Sequence, residues 1–362
     1  MSTRDLDRAN GAAESRAEAS EVHGTPRMSD IARVAGVSQS TVSRVLNKRE
    51  TTIQIALETR ERVFAAASAL GYRPNPLARA LRGAPTMLLG VIVRDFGDPF
   101  FASAIDVLAT QAMDNGYNLI LGHAHGRVPE STGLADVLET RQTDAVILLG
   151  DIHDQPRLLA DLKASAVPVV ATWQGISPLD FPTVDIDDAA GMRLGLQHLV
   201  DLGHERIALA SARLPLDNPF REDLYLEFMR DRFGGVPDGY VQRVPNSLEG
   251  GEAALSALVN LSEVPTAVAT TTDLVAVGIL HRAWSLGRPV PQALSVVGYD
   301  DLYIAAHTVP PLTTIRMPLT AIVREAVRTA IELARAGASR EPRVVRFPPS
   351  LVVRQSSAPP GR

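Results

Sequence analysis

MSDIARVAGVSQSTVSRVLN, residues 28–47, reads as two short helices separated by one glycine. Ser29–Ala35 sets Ile31, Val34 and Ala35 on one face, Gly36 interrupts, and Ser38 stands where its hydroxyl can cap a second helix. That helix runs to about Asn47 and turns Val42, Val45 and Leu46 inward. A third helix is expected from about Thr59, a good N-cap, through Val63, Ala66, Ala67 and Leu70 to Gly71, which can take the left-handed C′ conformation. Helix, glycine turn, helix is the helix-turn-helix arrangement, an all-α module.

Working outward, residues 1–25 mix charge with Ala, Ser and Gly without periodicity and read as a disordered extension. The three-helix domain is placed at 26–75. Pro74 and Pro76 then forbid regular continuation, so residues 76–85, containing LARALR at 77–82, read as a linker with a short conditional helix. Residues 26–82 carry ten basic and four acidic side chains, whereas the whole 362-residue chain has a net charge of -5. A basic segment on an acidic body suits a modular nucleic-acid binder, because neutralising phosphates supplies affinity that is independent of base sequence.

From Thr86 the texture changes. Leu88–Val93, Leu119–Leu121, Ala145–Leu149, Val167–Ala171, Ile207–Ala210, Ala267–Thr270 and Leu294–Val297 are short continuous apolar runs. Helical stretches separate them, at Phe101–Asn115, Ala189–Leu202, Gly250–Leu261 and Asp273–Leu286. Repeated βα units imply doubly wound parallel sheets, and their number implies two. In such sheets ligands bind beyond the carboxyl ends of the strands.

Residues 28–82 carry DIARVAGVS at 30–38, TVSRVLN at 41–47, TRERV at 59–63 and LGYRPNPLARAL at 70–81. In this order and spacing they resemble the N-terminal headpiece of the lactose repressor (LacI/GalR) family. The resemblance implies a sequence-specific DNA-binding regulator, most simply a repressor, with Gln39 and Ser40 setting operator preference and Arg44 contacting a base. Chemistry agrees, since Gln pairs bidentately with adenine and Arg with guanine from a recognition helix in the major groove. Ser38, Thr41, Ser43 and Asn47 are cast as phosphate or positioning groups. A leucine at the place of Leu81 is expected to wedge into the minor groove with Ala78 beside it. Arg27 stands where the resemblance expects a capping threonine, leaving Ser29 or Thr25 to cap the first helix.

The remainder resembles the same family's periplasmic-binding-protein-like core, through DPFF at 98–101, DAVIL at 144–148, GHERI at 203–207, SVVGYDD at 295–301, PPLTTIR at 310–316 and PPSLVVRQS at 348–356. That resemblance implies a two-lobed α/β domain over 86–357, with an N-lobe of about 86–185 and 315–340 and a C-lobe of about 186–314 and 343–357. Crossings are expected near Asp185, Thr314 and Arg343. An effector, a sugar or sugar derivative, would bind in the cleft, with a nucleobase or a protein co-repressor as alternatives and activation as the alternative sign. Asp273, opening a helix after a strand, is the carboxylate expected to bind hydroxyls, with simple helix capping as the other reading. Arg221 matches the family's effector arginine, although Leu224 replaces a glycine of that motif. Asp98, Phe100 and Trp173 complete the candidate pocket, Trp173 being equally readable as core, and Phe96, Asp300 and Asp301 are weaker candidates. The partners implied are operator DNA and a second copy of the chain, a homodimer joined by N-lobe helices including Ile105 and Leu108.

Other classes fit poorly. With no cysteine there is no disulfide, thiolate nucleophile or cysteine-bound metal, and no cofactor is expected. The chain lacks GxGxxG, P-loop and GxSxG patterns, so an enzyme is not expected. His123 and His125, one residue apart without a placed third ligand, read as loop residues rather than a metal site. The polar N-terminus has no secretory signal, and no stretch approaches the roughly 18 apolar residues of a membrane span, which points to the cytoplasm.

Overall fold

A computed structural model describes residues 26–46, 55–72, 85–124, 142–174, 180–213, 220–336 and 342–361. The chain divides into two compact units, Met1–Thr86 and Met87–Arg362.

The first unit is built of α1 (Met28–Ala35), α2 (Gln39–Leu46) and α3 (Leu57–Ala69). Ile31, Ala32, Ala35, Val42, Val45, Val63, Ala66, Ala67 and Leu70 bury one another at its centre, while Val34 and Leu46 are only half-buried. Gly36 turns the chain in the left-handed region (φ 65°), a conformation costly for other residues. The Ser38 Oγ accepts the Thr41 amide at 3.2 Å and so caps α2 as expected. Two caps differ from expectation. Ser29 lies inside α1, and the first turn is closed instead by Asp30, whose carboxylate accepts the Arg27 amide at 2.9 Å. Thr59 likewise lies inside α3, which starts at Leu57 because Ala56 supplies the backbone carbonyl that its amide bonds.

The second unit holds two six-stranded sheets. One has the order β11-β5-β4-β3-β1-β2, built from β1 (Leu88–Val93), β2 (Asn118–His123), β3 (Ala145–Leu149), β4 (Val169–Thr172), β5 (Thr183–Ile186) and β11 (Val344–Phe347). Its pairings are parallel throughout. The other has the order β12-β10-β9-β8-β6-β7, built from β6 (Ile207–Arg213), β7 (Val241–Pro245), β8 (Ala267–Thr270), β9 (Ser295–Asp300), β10 (Thr313–Arg316) and β12 (Ser350–Val352). Here only β12 runs antiparallel to its neighbour. Helices α4 (Pro99–Asp114) and α10 (Leu319–Ala336) belong with the first sheet, as does α5 (Pro156–Ala164), whose Leu158 and Leu162 pack with Ile92, Val146 and Leu148. Helices α6 (Asp188–Asp201), α7 (Phe220–Phe233), α8 (Leu248–Leu258) and α9 (Asp273–Ser285) belong with the second.

The chain passes between lobes after β5, after β10 and between β11 and β12. Thus Ile315 pairs within the second sheet and Val344 within the first, so the last two crossings lie beyond the residues expected, near Met317 and Pro348. Strand pairing decides this, because β10 stays paired with β9 and β12 as far as Arg316, and β11 with β5 as far as Phe347. Leu108, expected at a subunit interface, is fully buried in the core, and Ile105 is half-buried against it. The amphipathic face of α4 is spent on its own lobe. No helix of the described residues is long and apolar enough to cross a membrane.

Candidate DNA-reading surface and effector cleft

Gln39 and Ser40 are exposed in the first turn of α2, and Arg44 is half-buried one turn further on. Val42 and Val45 point into the headpiece core from the same helix. The helix period therefore separates reading side chains from packing ones. The Ser38 Oγ lies 2.8 Å from both the Ser40 and Thr41 hydroxyls, so the loop-to-helix turn is fixed by a cluster of three hydroxyls. Ser43 sits half-buried on the same helix. Asn47, Ala78 and Leu81 lie outside the described residues.

In the core unit a cavity of about 160 Å³ lies where the two lobes meet. The first lobe contributes Arg94, Asp98, Phe100, Asp151 and Trp173, and the second Asp188, Arg221, Asn246, Thr272 and Asp300. Almost all occupy the carboxyl end of a parallel strand or the start of the following helix, where ligands gather in doubly wound sheets.

Arg221, in the first turn of α7, is the centre of the C-lobe wall. Its Nε donates to Asp188 Oδ1 at 2.9 Å, and its Nη1 donates to the Thr271 carbonyl at 2.6 Å and lies 3.7 Å from Asp300 Oδ1. The guanidinium stacks 3.7 Å above the centre of the Tyr299 ring, whose hydroxyl donates to the same Asp188 oxygen at 2.7 Å. Burial alone would depress the Arg221 pKa, but Asp188, Tyr299 and Asp300 outweigh it and hold the group firmly charged. Burial pushes the Asp300 carboxyl well above the usual range, with Arg221 opposing.

Trp173 and Phe100 form the apolar wall, their rings 5.0 Å apart and edge to face. Trp173 adopts a left-handed backbone (φ 54°) and Asp300 also has positive φ (120°). Strained non-glycine residues from both lobes thus converge on one cavity, the usual mark of a functional site. The Trp173 indole Nε1 is buried with no hydrogen-bond partner among the described residues. Aromatic rings beside fixed carboxylates and guanidinium groups match the amphipathic surface of a polyhydroxylated ring. Among the described residues, no three His, Asp or Glu side chains group as metal ligands, and His125 lies outside them.

Asp98, Phe100, Trp173 and Arg221 all line this cavity. Asp273 is not among its lining residues. It is fully buried, its Oδ1 accepts the Thr314 hydroxyl at 2.5 Å, and its Oδ2 accepts the Leu302 amide at 2.8 Å. It braces α9 to the loop after β9 and to β10, and burial raises its carboxyl to about 7. Neither does it cap α9, because Thr272 Oγ1 accepts the Val275 amide there. Asp300, at the end of β9, lines the cavity with Asp98, Asp151 and Asp188, whereas Asp273 does not. Sequence reasoning missed Arg94, Asp151, Asp188, Asn246 and Thr272; their strand-end positions were the available signal.

Residues 27–75 match the family model described as bacterial regulatory proteins, lacI family, and residues 196–357 match the periplasmic binding protein-like domain. The transcriptional regulator MalR of Streptomyces coelicolor is 35% identical over 347 residues, covering 92% of this chain and 97% of that protein. The structure of the lac repressor dimer bound to operator and the anti-inducer ONPF superposes with a TM-score of 0.80 at 27% identity, covering 92% of this chain and all of the other. The regulator CelR in complex with cellobiose superposes with a TM-score of 0.64 at 28% identity, covering 92% of this chain and all of the other. The protein is a transcriptional regulator with a helix-turn-helix DNA-binding domain and a two-lobed α/β core. The chain belongs to the lacI family of bacterial regulatory proteins, and MalR and the lac repressor are regulators rather than enzymes.

Proposed function

We propose that this chain is a homodimeric repressor, acting in the cytoplasm on nucleoid DNA, that binds a palindromic operator and is controlled by a carbohydrate in the interlobe cleft. The observation that carries the effector reading is the cavity, where the Trp173 and Phe100 wall faces the Arg221–Asp188–Asp300 network. In this reading Arg221 and Asp300 bind hydroxyls and Trp173 covers a ring face, while Asp273 supports the site from outside. The cellobiose complex of CelR is consistent with the ligand class. Gln39, Ser40 and Arg44 read bases, while the hinge role expected of residues 76–85 and the minor-groove role expected of Leu81 fall on positions almost all outside the described residues.

Self-association is supported by the operator-bound lac repressor, which is a dimer and superposes on this chain over 92% of its length. The reading is tested by thermal shift against cellobiose, maltose, ribose and related sugars. A cleft ligand at a hundred times its Kd adds about 2.7 kcal/mol of stability, and Asp300→Asn should remove that gain. A gel shift on a palindromic operator should weaken steeply with added salt and respond to the same sugar; a sugar that stabilises the protein without altering operator binding would overturn the regulatory role.

A further inference from the structure

Asp98 and Asn246 stand on opposite lobes and meet across the cleft. Asp98 follows β1 and caps α4, its Oδ1 accepting the Phe100 amide at 2.9 Å. Its second oxygen accepts Nδ2 of Asn246, which follows β7, at 3.0 Å. The Asn246 Oδ1 in turn accepts the Thr272 hydroxyl at 2.8 Å, and Thr272 caps α9. The amide orientation is dictated by its partners, since a carboxylate only accepts and the threonine hydroxyl is free to donate. One asparagine therefore connects the N-terminal caps of two helices belonging to different lobes.

The C-lobe holds Asn246 in place through close packing of α8 on α9. A Cβ on Gly251 would lie 2.1 Å from the Val275 carbonyl oxygen, and one on Gly278 2.0 Å from that of Leu248. Only glycine permits such an approach, which sets the beginnings of the two helices side by side and Asn246 against Thr272. The Nδ2 group is thereby presented to the N-lobe. A charge-assisted bond in a partly dry cleft is stronger than a neutral surface one.

We propose that Asn246 is a positioning residue that holds the two lobes together across the cleft by linking the cap of α4 to the cap of α9. The bond sets how readily the lobes separate, and so how ordered a cleft any effector meets. The inference needs no effector to be identified, so it stands or falls apart from the carbohydrate reading.

The test is hydrogen–deuterium exchange on the full chain without added ligand, followed at the segments around Phe100 and Val275. Asn246→Asp sets a carboxylate against Asp98, and exchange there should accelerate roughly tenfold as the lobes part. Asn246→Ala removes the bridge without repulsion and should give a smaller acceleration, about threefold. The decisive variant pairs Asp98→Asn with Asn246→Asp. The amide is then on the N-lobe and the carboxylate on the C-lobe, asparagine still caps α4, and exchange should return to within about twofold of the parent. A purely local role for Asn246 would not be rescued by this exchange of roles. Parent-like exchange in both single variants, or a folded double variant that exchanges as fast as Asn246→Asp, would overturn the proposal. If Asn246→Asp does not fold, the alanine and paired variants decide between the same two outcomes.

Discussion

The headpiece and the core build their sites in opposite ways. The headpiece keeps Gln39 and Ser40 outside an apolar centre of nine residues and fixes them by local means, chiefly the Ser38 cap. The core takes charge inside, where Asp188, Arg221, Tyr299 and Asp300 are held by contacts distant in sequence. A site on a solvated helix face is separable from stability. A site made of buried ions is part of the structure it sits in, because each charge is tolerable only while its partners remain.

The largest effect that tests this contrast is Arg221→Met. It strands the Asp188 carboxylate without its hydrogen-bonded cation, and urea unfolding of the core should lose about 3–5 kcal/mol. Parent-like stability would show that the network is not structural.

Asp273 should contribute the next largest effect. Its carboxyl has a folded value of about 7 against 3.8 when unperturbed. The folded state binds the proton more tightly, so the associated stability is fully present below about pH 4 and is lost as pH rises through 7. Comparing Asp273→Asn with the parent from pH 4 to 8 should show a difference changing by a few kcal/mol across that window, in favour of the parent at the acid end. A constant difference would mean that Asp273 does not titrate in this range.

In the headpiece the effects shrink. Ser38→Ala removes the α2 cap and should lower headpiece stability by about 1 kcal/mol, measured by thermal melting. Substituting Gln39 and Ser40 should change stability by less than about 0.5 kcal/mol while changing operator preference in competition gel shifts by about 1–3 kcal/mol per base pair. Should these two substitutions unfold the headpiece, the separation of reading from packing fails.

The legibility of the two sites follows the same division. Ser38, Gln39, Ser40 and Arg44 are near neighbours on one short helix, so period and capping chemistry reveal which side each faces. The cleft draws on residues from Arg94 to Asp300, and nothing local says which strand ends meet. Asp273 and Asp300 both lie at the carboxyl ends of apolar strands in the second sheet, Asp273 just after β8 and Asp300 as the last residue of β9. Asp273 turns into the lobe toward Thr314 and Leu302, while Asp300 turns toward Arg221. Leu108 reads equally well as an interface or core residue, and only the sheet beneath α4 settles that it is core.

By itself the sequence determined the helix-turn-helix, the repeated βα units and the family, because each rests on periodicity and spacing within a few turns of chain. Tertiary structure decided where the lobes exchange strands, that Asp300 and not Asp273 lines the cavity, and that Asn246 spans the cleft to Asp98. Those outcomes depend on burial and on hydrogen bonds between residues as many as 148 positions apart, and local chemistry does not encode them.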